Sequence, residues 1–289
     1  MKASVSSRVG KMAGFFEIAR IPNCIMMGLA VIIGEFMSLG TAVSIFSVVV
    51  GFFVGFFLVA GSMAINDILD TEIDRINNPM RPIPSGRVSK SEATVFATIT
   101  LAVGLSFAFA LSVVNLVIAI LAVGLMLYYN RFGKKTGLPG NAVVSANLAI
   151  PFIFGGAIGG ISSTLYVFAL LAFLAGMGRE VIKGMADIAG DSKRGVRTIA
   201  VSKGLGAAGK TGALFFVAAV LLSVIPIALG TVSWLYLPIV SVCDIGFLYS
   251  SYSIVKNTSP ENALRSKKQA LVWMLLGLIA FIAGGFPVG

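Results

Sequence analysis

Two short stretches of this chain hold seven of its twelve acidic residues. The first, NDILDTEIDRINNPMRPIPSG at 66–86, carries Asp67, Asp70, Glu72 and Asp74 beside Arg75 and Arg81; the second, GREVIKGMADIAGDSKRGVRT at 178–198, carries Glu180, Asp187 and Asp191. Asn66, Asp70 and Asp74 recur every four residues, and Asp187 and Asp191 repeat that step, so on a helix each set lines one face. Like charges stacked at that spacing destabilise a bare helix, and acids near a helix C-terminus gain nothing from its dipole. A counter-cation is the natural remedy. A calcium loop of the EF-hand kind needs alternating ligands, a central Gly and a closing Glu that are missing here. Magnesium suits the pattern better, because it takes a few carboxylates, keeps waters and binds phosphate oxygens. Two such motifs with basic neighbours point to a diphosphate bridged through Mg²⁺; for either motif alone, a solvated capping loop is the alternative.

Other chemistries are excluded by composition. There is no histidine, which removes Ser/His/Asp and Cys/His schemes and histidine metal ligands. Cys24 and Cys243 lie in apolar runs without metal-ligand spacing, so they read as packing residues.

The elements that position these acids must be membrane helices. Apolar side chains make up 57% of the 289 residues, charged ones 12%, and mean hydropathy is +0.96, well beyond a water-soluble domain. Nine runs are long enough to cross about 30 Å of hydrocarbon. They are expected at 14–37, 43–65, 92–111, 113–130, 142–160, 163–182, 211–229, 233–254 and 269–287. The first carries Glu17 and Arg20 and no small-residue cleavage site, so it reads as a span rather than a leader. With the N-terminus cytoplasmic, 21 of the 22 basic residues fall in inner segments or, for Arg179, at the inner end of a span, and none in the outer connections; only Arg20 lies deeper inside a span. The net charge of +10 then follows from topology and an anionic inner leaflet, and nucleic acid need not be invoked. Both acidic motifs sit at inner helix ends.

Pro79, Pro82 and Pro84 exclude a continuing helix after the first motif, Ser85 and Gly86 supply turn chemistry, and Ser89 with Glu92 has capping-box spacing that restarts one. The segment is a shaped loop, a lid over the site or a plain connector. Asp70, Asp74, Arg81, Ile83 and Lys90 precede Asp187, Asp191, Arg197, Ile199 and Lys203 at similar spacing, which suggests an internal repeat of two half-bundles.

These residues resemble a known family. NDILDTEIDRINNPMRPIPSG looks like the first signature of the UbiA superfamily of intramembrane prenyltransferases, and DIAGD at 187–191 looks like the second. Arg20, Pro22 and Asn23 in ARIPN are similar to that family's first-helix motif. The resemblance covers essentially the whole chain and implies an all-α bundle of about nine transmembrane helices, residues 1–289 forming one integral-membrane domain. It implies Mg²⁺-dependent transfer of a prenyl group from a prenyl diphosphate to a lipophilic acceptor, with no obligatory protein partner. By carry-over, Asn66, Asp70, Asp74, Asp187 and Asp191 hold the metal, the four aspartates among them are catalytic, and Asp67 stands one layer behind. Arg20, Asn23, Arg75, Lys183 and Arg197 are the diphosphate-binding candidates. Cations suit that role because a leaving diphosphate gains negative charge where water is excluded. Arg20 either faces a cavity or snorkels to the surface. Tyr128, Tyr129 and the 21 Phe could face an allylic cation, or serve as interfacial anchors and lipid contacts.

INNPMRPIPSGRVS and REVIKGMADIAGD are similar to the archaeal branch of the family, in which a glycerol hydroxyl attacks geranylgeranyl diphosphate in membrane-lipid synthesis. A phosphate-bearing acceptor would suit Lys134, Lys135, Lys193 and Arg194, as would positive-inside topology. An aromatic acceptor, a quinone precursor or chlorin, is the alternative within the family. Some relatives carry an acid at the position of Met185 or Ala186; here Glu180 reads as structural, paired with a neighbouring Lys or Arg. A transporter is the rival from another class, but its acids should lie near midplane.

Overall fold

A computed structural model describes residues 2–193 and 195–285, with side chains at all of them except 2–9, 41 and 77. Arg194, the last two residues of the ninth expected span and the outer connection at 288–289 therefore lie outside the described residues. The helices are α1 (Lys2–Ala19), α2 (Ile21–Leu39), α3 (Ile45–Leu69), α4 (Thr71–Asn77), α5 (Lys90–Leu111), α6 (Val113–Arg131) and α7 (Leu138–Gly156), followed by α8 (Ser163–Ala186), α9 (Ile188–Lys193), α10 (Ile199–Ser223), α11 (Ile225–Ala228), α12 (Tyr236–Lys256) and α13 (Pro260–Gly285). No strand occurs among the described residues. Nine helical segments among them are long and apolar enough to cross a membrane: α2, α3, α5, α6, α7, α8, α10 continued by α11, α12 and α13. The chain is an integral membrane protein of all-α class, as its apolar runs require.

The first span needs correcting. Instead of one helix over 14–37, the chain forms α1 and α2 with a break at Arg20, whose φ of 54° is the one positive value at a non-glycine residue among those described. Arg20 is thus not in a span interior. Pro22 sits in the first turn of α2, where its missing N–H is tolerated, and the Asn23 N–H closes the turn onto the Arg20 carbonyl at 2.8 Å.

Contacts divide the chain into two compact units, Met1–Ile32 with Ser44–Asn130 and Ile33–Val43 with Arg131–Gly289. In the first unit α3 packs along α5 and α1 along α3. Small residues allow the close approach that replaces a hydrophobic driving force in lipid: a methyl group on Gly61 would stand 2.7 Å from the Leu101 side chain, and Ala64, Ala93 and Ala97 are buried beside Ile18, Ile83 and Val88. The 78–89 loop is therefore anchored through Ile83 and Val88 onto α1, α3 and α5. The capping box forms, with the Ser89 hydroxyl accepting from the Glu92 N–H and the Glu92 carboxylate from the Ser89 N–H.

In the second unit α8 packs against α7, α10 and α13, and α12 against α10 and α13. Ile182, Met185, Ala208, Phe216, Phe247, Ile254, Ala263 and Ala270 are buried together near the second motif. Farther along the helices Phe168 stacks on Phe281 at 3.9 Å between ring centroids.

Candidate functional site

Both motifs are built by the same local device. α3 runs to Leu69, Asp70 departs from helical geometry (φ −86°, ψ 1°), and α4 resumes at Thr71. α8 runs to Ala186, Asp187 departs in the same way (φ −97°, ψ 8°), and α9 resumes at Ile188. The backbone ladder continues across each break. The Asp70 N–H donates to the Asn66 carbonyl at 2.9 Å and the Asp74 N–H to the Asp70 carbonyl at 2.8 Å; the Asp187 N–H donates to Lys183 and the Asp191 N–H to Asp187, both at 3.0 Å. Each motif thus places an aspartate, Asp70 or Asp187, at the junction of a long and a short helix, and the four-residue step survives.

These breaks change the electrostatics expected from the sequence. The acids do not simply crowd a negative helix C-terminus: Glu72 and Asp74 occupy the first turn of α4, and Asp191 that of α9, where the dipole favours negative charge. The junctions repeat, while the segments that follow them differ in length. Twelve residues (78–89) follow α4, whereas five (194–198) follow α9, so Ile83 lies in a loop and Ile199 opens α10 beneath its Thr198 cap.

In the first unit the structure gathers Arg20, Asp67, Asp74 and Arg81. Asp67, with its side chain 7% exposed, accepts from Arg20 Nη2 at 2.8 Å and lies 3.6 Å from Arg81 Nη1. Arg81 Nη1 also donates to Asp74 at 2.6 Å. Arg20 Nη1 lies 2.9 Å from the Met63 sulfur, which sets this guanidinium level with the last two turns of α3. The Asn66 side chain reaches Asp67 at 3.4 Å. Two guanidiniums, one from the α1/α2 break and one from the loop, are therefore fixed by one buried carboxylate beside Asp74.

Arg75 is not part of this group. It turns to Glu72 at 3.1 Å on an exposed surface, where an ion pair contributes little. Arg75, a binding candidate from its place beside Asp74, is directed away from the buried aspartates, whereas Arg81, which belongs to the repeated set and precedes Pro82 in the signature loop, reaches them.

In the second unit Glu180 is 5% exposed and paired with Arg179 at 2.9 Å and Lys183 at 3.0 Å. Its structural role, expected from sequence, is what the geometry shows. Lys183, a binding candidate, spends one donor there. Asp187 faces Lys267 of α13 at 3.8 Å, a neighbour 80 residues away that no local pattern could reveal. The loop after the motif is tied down: the Arg197 N–H donates to the Lys135 carbonyl at 3.2 Å, and Gly137 (φ 72°) passes so close to the Arg197 carbonyl that a side chain would collide with it.

The oxygen donors available are carboxylates and amides, which suit a hard cation such as Mg²⁺ rather than a soft one. Among the described residues no three acids converge closely enough to enclose an ion by themselves. Arg81 occupies one direction at Asp74, and a carboxylate offers about four acceptor positions, so the pairing does not exhaust it.

Comparison with known proteins places this architecture. The digeranylgeranylglyceryl phosphate synthase of Methanopyrus kandleri is 36% identical over 94% of this chain and 99% of its own length. That of Methanocaldococcus jannaschii is 34% identical over 96% and 98%. A solved structure of a digeranylgeranylglyceryl phosphate synthase superposes with a TM-score of 0.79 at 33% identity, covering 96% of this chain and 99% of that one. A UbiA homologue of Archaeoglobus fulgidus, solved with GPP and Mg²⁺, shares the fold with a TM-score of 0.68 at 18% identity, over 93% and 99%. Residues 27–282 match the UbiA prenyltransferase family, a range that contains both helix-break motifs; the chain belongs to that family.

Proposed function

We propose that this chain transfers a geranylgeranyl group from geranylgeranyl diphosphate to the glycerol hydroxyl of geranylgeranylglyceryl phosphate, a step in archaeal membrane-lipid synthesis. The observation that carries this reading is end-to-end similarity to the archaeal synthases in a chain that presents the broken-helix aspartates twice. Asn66, Asp70, Asp74, Asp187 and Asp191 are the residues we assign to Mg²⁺, on the chemistry of their donors and their positions in the two motifs. Bound there, Mg²⁺ neutralises charge developing on the departing diphosphate.

The chain's own residues do the rest. Arg20 and Arg81, held by Asp67, present cations to diphosphate oxygens without the entropy loss of ordering long side chains. Lys183 and Arg197 are assigned the same role beside the second motif, and Asn23 supports the Arg20 turn. Apolar spans keep water from the prenyl group, so that as its C1–O bond breaks the acceptor oxygen rather than water bonds to C1, and the diphosphate leaves with the C1–O electron pair and takes up the hydroxyl proton. The N-terminus and motif loops are assigned to the cytoplasmic side, which the placement of the basic residues supports.

The test is direct. Purified protein with Mg²⁺ is given prenyl diphosphates of several lengths and glycerol-phosphate, quinone-precursor or chlorin acceptors, and products are weighed by mass spectrometry. Digeranylgeranylglyceryl phosphate is the expected product. A product formed only on an aromatic acceptor would overturn the acceptor assignment.

A further inference from the structure

Between α1, the 78–89 loop and the start of α5 lies a cavity of about 630 Å³ that the reaction above leaves unused. Lys11, Ser85, Arg87, Ser89 and Glu92 line it. Its two cations are fixed by partners: Lys11 pairs with Glu92, and Arg87 Nη2 donates to Glu17 and to the Met80 carbonyl, both at 2.7 Å, while its Nε donates to the Ser85 hydroxyl at 3.3 Å. An ammonium has three N–H donors and a guanidinium five, so both keep donors beyond these pairs.

Exposed apolar side chains lie next to them. Met12 and Phe16, four residues apart on one face of α1, are 62% and 60% exposed, and Met80, whose carbonyl holds Arg87, is 78% exposed. In water such a group would be a liability. Its level in the fold explains it. α2 begins at Ile21, α3 ends at Leu69 and α5 begins at Lys90, so α1 and the loop lie where the spans of this unit emerge from hydrocarbon. Lys11, Arg87 and Lys90 against Glu17 and Glu92 leave one net positive charge there (three minus two), facing a surface whose potential is negative. Exposed apolar side chains beside fixed cations at that depth suit contact with acyl chains on one side and anionic headgroups on the other.

We propose that this cavity binds the phosphate of an anionic phospholipid of the surrounding leaflet, with Met12, Phe16 and Met80 set among its acyl chains. The proposal stands apart from the prenyl transfer, and its readout is lipid retention rather than turnover.

Delipidated protein in detergent is titrated with phosphatidylglycerol or phosphatidylcholine, and retained lipid is counted by native mass spectrometry. One basic residue near an anionic surface contributes about 1 kcal/mol, so a preference of about fivefold for phosphatidylglycerol is expected. It should vanish in a Lys11→Gln, Arg87→Gln double variant, while Met12→Ser with Phe16→Ser lowers retention of both lipids. Equal retention by the unaltered protein overturns the proposal. So does full displacement by inorganic phosphate, which assigns the cavity to a free anion, or a double variant that keeps its lipid and loses acceptor affinity. Where the double variant fails to fold, a nitroxide at Phe16→Cys decides, since Cys24 and Cys243 are buried. Collisions with oxygen should dominate; collisions chiefly with a water-soluble nickel chelate overturn it.

Discussion

Removing the charge of Asp67 should loosen both guanidiniums of the first unit at once. Asp67 is 7% exposed and stands 2.8 Å from Arg20 and 3.6 Å from Arg81, each about a third exposed (32% and 34%). Opposite unit charges at about 4 Å attract by about 4 kcal/mol at an effective dielectric of 20. Partial exposure of the arginines and desolvation of the carboxylate reduce that, leaving about 1.5–3 kcal/mol for the closer pair, the range of a hydrogen bond to a charged group. The Arg81 pair adds less, because Arg81 makes its shorter bond to Asp74. The measurement is a double-mutant cycle with Asp67→Asn, Arg20→Gln and their combination, read as unfolding midpoints in mixed SDS and detergent. A coupling of about 2 kcal/mol is expected, against the roughly 0–1 kcal/mol of a surface pair. In the same proteins the affinity for the prenyl diphosphate should fall about tenfold or more for either single variant, since about 1.4 kcal/mol is a factor of ten. The double variant should be little worse than the singles. Additivity within about 0.5 kcal/mol would refute the reasoning, because it would show that Asp67 does not hold Arg20.

Three further outcomes are expected. Asp70→Asn or Asp187→Asn should abolish Mg²⁺-dependent transfer while the helical circular dichroism stays unchanged; activity retained in purified Asp70→Asn would sink the proposed metal site. Glu180→Ala removes the buried carboxylate that Arg179 and Lys183 share and should lower stability by about 3 kcal/mol, near the bottom of the range for breaking a buried pair because both cations are partly exposed; a shift under about 1 kcal/mol would show the pair to be screened. Gly137→Ala forces a side chain onto the Arg197 carbonyl at a positive φ and should destabilise by more than about 1 kcal/mol, with faster tryptic cleavage at Lys134 and Lys135; an unchanged cleavage rate would show that the loop absorbs the strain.

The spans were legible because hydrocarbon thickness imposes a minimum length on an apolar run, and the capping box at Ser89 and Glu92 because its signal is local. The division at Arg20 was not read, since no glycine stands there and the apolar run passes through it; Pro22, acceptable in a first turn, was the one local sign. The motif spacing gave the aspartates, but not that helices break on Asp70 and Asp187, because a one-residue departure leaves the four-residue pattern intact. Arg81 and Lys267 reach their carboxylates only after the loop and α13 have packed, so sequence proximity pointed instead to Arg75, which turned to Glu72.

The break at Asp70 also ties chemistry to membrane thickness. α3 has 25 residues, or about 37 Å at 1.5 Å each, and the aspartate follows its last residue. The carboxylates therefore ride at a depth measured out by the helix, and a bilayer thicker or thinner than about 30 Å must tilt α3 or deform around it. A one-residue insertion between Ala60 and Asn66 would turn Asp67 by about 100° around the axis, away from Arg20, so the span acts as both ruler and protractor for the charges at its end.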